Sequence, residues 1–158
     1  MPVGVQHDQL TNSIYFITFT CYKWLPLIEK TNAYDAAYKW FDVLQAKGVS
    51  IAGYVIMPNH VHVLLHFPEM LDALHSGVSK RERKNGQVHK VFEESFDRKE
   101  CYSTDFIFQK LDYMHHNPVS GKWNLANDFT EYEHSSASFY ENGTKKYRYI
   151  VHINDLLH

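Results

Sequence analysis

The stretch Met57-Pro58-Asn59-His60-Val61-His62-Val63-Leu64-Leu65 decides how the chain is read. A strand turns successive side chains to opposite faces, so His60 and His62 leave on one face and Val61, Val63 and Leu65 on the other. Two imidazoles are thereby aimed at one spot. Upstream, Ile51 to Met57 reads as a strand and Pro58-Asn59 as a turn, which predicts a hairpin with the histidines at the start of its second arm, His60 to Phe67. Taken alone, a His-x-His strand fits a structural role, both rings hydrogen-bonded on a polar sheet face. A second segment, Tyr113-Met114-His115-His116-Asn117-Pro118-Val119, changes that balance.

The rest of the chain supplies a frame for these two segments. Residues 13 to 22 are β-branched and aromatic and apolar on both faces, the pattern of a strand inside a sheet. A helix is expected from Thr31-Asn32 to Gly48, with Tyr34, Ala37, Phe41 and Leu44 at spacings of three and four. Ser79 to Gly86 is a charge run without apolar periodicity, read as a solvated loop or, through Lys80, Arg81, Arg83 and Lys84, as a phosphate contact. Val91 to Cys101 reads as irregular or a short strand. Ser103-Thr104-Asp105 offers a cap and a first-turn acid for a helix running to about Asn117, with Ile107, Leu111 and Met114 on its buried stripe. Pro118 and Gly121 stop it. From Lys146 to Ile153 the alternation of Tyr147, Tyr149, Val151 and Ile153 predicts a final edge strand.

Length and composition narrow the class. At 158 residues the chain fits one domain, residues 1–158, and 44% hydrophobic with 15% aromatic residues is the composition of a globular protein. The aromatic share also offers stacking surface for bases. A net charge of −2 argues against coating nucleic acid non-specifically, so any DNA contact falls to local basic patches. Cys21 and Cys101 have no metal-ligand spacing, and a bridge between them stays open; two cysteines suit a reducing compartment. No membrane-spanning stretch or leader is evident, and a cytoplasmic location is expected.

Tyr113 and Asn117, four residues apart, share one helix face, away from the buried stripe. Phe106, Gln109 and Lys110 lie on or beside it, and the charge of Lys110 favours a phenolate at Tyr113. A helix laid across the sheet would present Tyr113 and the Asn117 amide to His60 and His62, giving two imidazoles and a carbonyl oxygen around one divalent ion. Mixed nitrogen and oxygen ligands with open positions suit Mg²⁺ or Mn²⁺, the two imidazoles leaning toward Mn²⁺ or a later metal. A tyrosine phenolate is then a sensible nucleophile for a phosphodiester, because a covalent phosphotyrosine conserves the bond energy for rejoining.

These two motifs together, in this order, resemble the IS200-like single-tyrosine transposases of the HUH superfamily, especially the branch associated with repetitive extragenic palindromes. The likeness spans roughly residues 13 to 141, leaving 142 to 158 as an extension. It implies an α+β, ferredoxin-like fold, an antiparallel sheet with helices packed on one face and the His pair on a central strand. It implies metal-dependent cleavage and rejoining of single-stranded DNA near a hairpin, with a 5′-phosphotyrosine intermediate. By position, Tyr113 is the nucleophile and His60, His62 and Asn117 are metal ligands, although related enzymes carry Gln one turn after the tyrosine. The family also carries a longer basic helical segment where this chain runs from Phe67-Pro68 almost directly into Glu69 to His75. A monomer and a homodimer exchanging Tyr helices both stay open. Two other readings compete: a domesticated module that binds hairpin or single-stranded nucleic acid without cutting, and a metal hydrolase that uses water as nucleophile.

Overall fold

The computed structural model of the protein describes residues 13–68 and 97–157. Four strands, β1 (Ser13–Thr20), β2 (Ser50–Ile56), β3 (His60–Phe67) and β4 (Asp97–Glu100), form one antiparallel sheet in the order β2-β3-β1-β4. The helices are α1 (Leu27–Lys30), α2 (Tyr34–Ala46), α3 (Thr104–His116) and α4 (Ala137–Asn142), with short 3₁₀ turns between them. The expected α+β class therefore holds, and the strand order is that of a ferredoxin-like sheet. Strands β1 and β3 occupy its middle, paired from Ser13 opposite Phe67 to Thr20 opposite His60.

The helices, expected on one face, cover both. The cause lies in β1, which carries apolar residues on both sides, and in β3, which is buried along its whole length, so that the sheet needs two covers. Ile17, Phe19, Val61, Val63 and Leu65 pack with Ala37, Phe41 and Leu44 of α2. On the opposite face, Ile14, Phe16 and Leu64 pack with Ile107, Leu111 and Met114 of α3. His60 and His62 belong to this second face. Where α3 crosses β2 the approach is close: a β-carbon on Gly53 would stand 2.6 Å from a Leu111 δ-methyl. Gly53 is thus the position at which the helix touches down, beside an irregularity in the β2–β3 register.

Helix α3 begins as its sequence predicts, the Ser103 hydroxyl accepting from the Phe106 N–H at 3.2 Å. Its end runs on through a 3₁₀ turn, Asn117–Val119, with Asn117 itself still helical. In the stretch from Val91 to Cys101, Asp97–Glu100 forms β4, a short, charged edge, and residues 91 to 96 lie outside the described residues. The final edge strand expected over Lys146 to Ile153 is not formed. Ile150 makes a single parallel bridge to Ile51, and Ile153–Asp155 is a 3₁₀ turn. A spacing of three overrides the alternation: Tyr147, Ile150 and Ile153 are the buried residues, and the Ile150 N–H donates to the Tyr147 carbonyl at 3.2 Å. The outer edge of β2 is instead met by residues 134–136, where Ile56 N–H donates to His134 O and Ser136 N–H to Tyr54 O. Cys21 and Cys101 are both free and buried, in separate clusters on opposite faces of the sheet, so they form no bridge.

Candidate functional site

The strand period places His60 and His62 side by side on the α3 face, ring centroids 4.6 Å apart and planes at 75°. Each is 5% exposed. Neighbours fix both rings. His60 Nδ1 lies 2.7 Å from Asn59 Oδ1, and Asn59 Nδ2 donates to the Trp24 carbonyl at 3.3 Å. That second bond sets the orientation of the Asn59 amide. Its oxygen can only accept, so His60 carries its hydrogen on Nδ1 and keeps the Nε2 lone pair. His62 Nδ1 lies 2.8 Å from the hydroxyl of Thr18, its partner across the β1–β3 ladder. Phe16 stacks on the His62 ring at 5.1 Å.

Burial holds both imidazoles neutral. It lowers the pKa of His60 to about 4, partly opposed by a side-chain hydrogen bond to Asn117. It lowers that of His62 to about 3, helped by repulsion from His60 once that ring is protonated and by the Lys110 charge. Neutral, oriented imidazoles are the form in which histidine binds metal.

Helix α3 brings the remaining groups over this pair. Tyr113, 53% exposed, stands with its ring 5.5 Å from His62 and 6.3 Å from Phe16. Asn117, one turn on, reaches His60. Lys110 Nζ lies 5.1 Å from the Phe16 ring, 5.3 Å from Phe106 and 5.5 Å from Tyr113. The helix thus delivers an exposed hydroxyl, an amide and a cation to one side of the His pair. Among the described residues no three His, Cys, Asp or Glu side chains are grouped to hold an ion.

Of the residues singled out in the sequence, Tyr113, His60, His62, Asn117 and Lys110 come together. Lys80, Arg81, Arg83 and Lys84 lie outside the described residues, as does the segment after Pro68 that the sequence reads as shorter than the family's. Sequence reasoning missed the residues that hold the site in place. Thr18 gives no signal until the register is known, whereas Asn59 is adjacent to His60 and read only as part of a turn. His115 is buried with Nε2 2.8 Å from the Ser136 hydroxyl, which also accepts from the Tyr54 N–H at 2.9 Å. This bond joins α3 to β2 and to the segment entering α4. His116 is the more open of the two and stacks on Phe129 at 4.1 Å. Among the described residues no helix is long and apolar enough to cross a membrane.

Comparison with known proteins agrees with this architecture. A solved structure described as a REP-associated tyrosine transposase bound to a REP hairpin superposes with a TM-score of 0.61, over 87% of this chain and 84% of that one, at 15% identity. At that identity the likeness is one of fold. No family model matches the chain, and no curated protein does.

Proposed function

We propose that the protein is a strand transferase that cuts and rejoins single-stranded DNA, with Tyr113 as nucleophile. The observation that carries this reading is the convergence of an exposed tyrosine, two neutral oriented histidines and Asn117 on one spot of the sheet. The fold shared with a hairpin-bound tyrosine transposase supports the choice of a DNA hairpin with an unpaired strand as substrate. Tyr113 gives up its phenolic proton to water as Oη attacks the phosphorus, a P–O bond forms, and the bond to the 3′-oxygen breaks. The 3′-oxygen leaves as a hydroxyl after taking a proton, and the 5′-phosphate stays on the tyrosine. Attack by a 3′-hydroxyl reverses the step and rejoins the strand.

The donor set fits a divalent ion, Mg²⁺ or Mn²⁺, held by His60, His62 and Asn117 with positions left for phosphate oxygens. Such an ion would neutralise charge on the phosphodiester as it is attacked. The protein's own groups do the rest. Asn59 and Thr18 orient the imidazoles, Phe16 and Lys110 flank the Tyr113 ring, and the Lys110 ammonium offers a counter-charge for phosphate.

The test is a denaturing-gel assay for covalent adducts. Protein and Tyr113→Phe are incubated with labelled hairpin strands from the sequences flanking the gene, with Mg²⁺, with Mn²⁺ or with chelator. The expected result is a metal-dependent adduct that disappears in the Phe variant. Hairpin binding without an adduct would replace this reading with that of a binding module, and metal-dependent cleavage surviving Tyr113→Phe would replace it with that of a hydrolase.

A further inference from the structure

The turn that follows β1 lies against His60 and takes no part in the transfer chemistry above. Lys23 and Trp24 have φ of 53° and 58°. This is the left-handed region, where the Cβ of an L residue crowds the following carbonyl, and neither residue is of a type that settles there readily. Backbone bonds hold the turn in place. Trp24 N–H donates to Cys21 O at 2.8 Å, Leu25 N–H to Tyr22 O at 3.1 Å, and Cys21 N–H to Asn59 O at 2.9 Å. The Trp24 carbonyl accepts from the Asn59 side chain.

This conformation turns large side chains outward. Tyr22 is 51% exposed and Trp24 57%, and neither joins either hydrophobic cluster. Left-handed backbone at two consecutive non-glycine residues, one of them an exposed tryptophan, points to a functional role for the segment. The position of the rings narrows the function. The Trp24 indole and the His60 ring stand 5.6 Å apart at 64°, so the exposed surface of the indole adjoins the site. Lys23 lies beside it, with Nζ 5.2 Å from the Tyr22 ring. Exposed aromatic surface and a cation, continuous with a place where a phosphodiester is handled, are what an unpaired nucleotide requires: a face on which its base stacks and a charge for its phosphate.

We propose that Trp24, flanked by Tyr22 and Lys23, is a base-stacking subsite that holds an unpaired nucleotide adjoining the phosphate attacked by Tyr113. The proposal rests on the strand-transfer reading for the position of that phosphate. Its occupant is one nucleobase of single-stranded DNA. Stacking is tolerant of base identity, so the subsite positions the strand and leaves sequence choice to other contacts. Through the Trp24 carbonyl and Asn59 the same turn fixes the His60 ring, so the strand and the imidazole are placed by one element.

Fluorescence anisotropy in the presence of chelator separates this binding from catalysis. The probes are labelled DNA hairpins, blunt or carrying an unpaired flank of randomised sequence. Trp24→Ala is expected to weaken binding of the flanked hairpin by roughly tenfold or more, and Trp24→Phe to retain most of the affinity. Both variants bind the blunt hairpin as the parent does, and the exposed position keeps their melting temperatures close to the parent's. A scan of single abasic sites along the flank should find a position where the parent falls to the level of Trp24→Ala. Equal binding of the flanked hairpin by the parent and Trp24→Ala, or indifference to every abasic site, overturns the subsite. If the adduct assay succeeds while that happens, the strand-transfer reading survives alone. If the adduct assay fails while Trp24-dependent flank binding persists, the stacking platform stands without the chemistry. A parent protein that binds neither hairpin overturns both.

Discussion

Asn59 shows how much of the site depends on residues that would touch no substrate. Its amide links the Trp24 carbonyl to His60 Nδ1 and leaves the ring's lone pair on Nε2. Replacing it with alanine removes that orientation and strands a buried N–H. In metal sites the loss of such an outer partner lowers affinity by roughly 10–100-fold. Asn59→Ala is therefore expected to bind Mn²⁺ more weakly by about that factor in isothermal titration while its circular dichroism stays that of the parent. Unchanged affinity would mean that the bond to Asn59 does not prepare His60 for an ion. His60→Ala and His62→Ala should each abolish binding, because the amide of Asn117 and one imidazole are too few ligands to retain it. The sequence placed these histidines by strand period alone. It could not show what holds them, since the partner of His62 is a threonine on another strand and the partner of His60 is held by a carbonyl from a turn far upstream.

At the scale of elements, the site depends on how closely α3 lies on the sheet, and Gly53 sets that distance. A methyl there meets the end of the Leu111 side chain at 2.6 Å, with Met114 Sδ at 3.5 Å and Ser136 Oγ at 3.6 Å behind it. Leu111 is buried and has little room to turn away. Overpacking of this kind costs about 1–3 kcal/mol, and Gly53→Ala should show it as a lowered urea midpoint. Adduct formation should fall further than stability does, because the helix that shifts carries Tyr113. Coupling is the sharper measure: Gly53→Ala with Leu111→Ala is expected to be less destabilised than the sum of the two single changes. Strict additivity would show that the helix is not seated there. The elements themselves were largely legible. The β-branched and aromatic composition of residues 13–22, period two at His60 to Leu65 and the apolar stripe of α3 are local features, which the sequence records directly. The tail was misread because Tyr147, Ile150 and Ile153 recur at three while Tyr147, Tyr149, Val151 and Ile153 recur at two. Only packing against β2 decides between those two patterns. The same limit hid the run at 134–136 along the β2 edge, which has no periodicity of its own and is ordered by the backbone groups it meets.

Across the whole molecule, the two faces of the sheet have different chemistry. The α2 face is closed by aliphatic and aromatic side chains, among them Phe41, Tyr54 and Tyr147, and it anchors the fold. The α3 face mixes apolar contacts with buried histidines, and this gives the fold a dependence on pH. Burial lowers the pKa of His60 and His115 to about 4 and that of His62 to about 3. In the unfolded chain these rings titrate near the ordinary value of about 6.5. Above that pH neither state binds the extra protons, so the full stability is present. As pH falls below it, the unfolded chain takes up protons that the native rings refuse, and stability drops by up to about 1.4 kcal/mol per pH unit for each ring. The loss continues until the native rings themselves titrate, near pH 4 for His60 and His115 and near pH 3 for His62. A net stability of about 5–15 kcal/mol is typical of a domain, so a loss shared by several such rings is expected to weaken the fold as pH falls below about 6.5. Urea denaturation from pH 7 down to pH 4 should show a steep fall in unfolding free energy across that window. His115→Gln keeps a polar partner for Ser136 without a group that titrates there, so it should reduce the slope by about one ring's share. A slope unaltered by His115→Gln would mean that this ring exchanges its proton freely in the folded protein, and the bond between α3 and Ser136 would then not be the neutral contact that holds the tyrosine helix against the sheet.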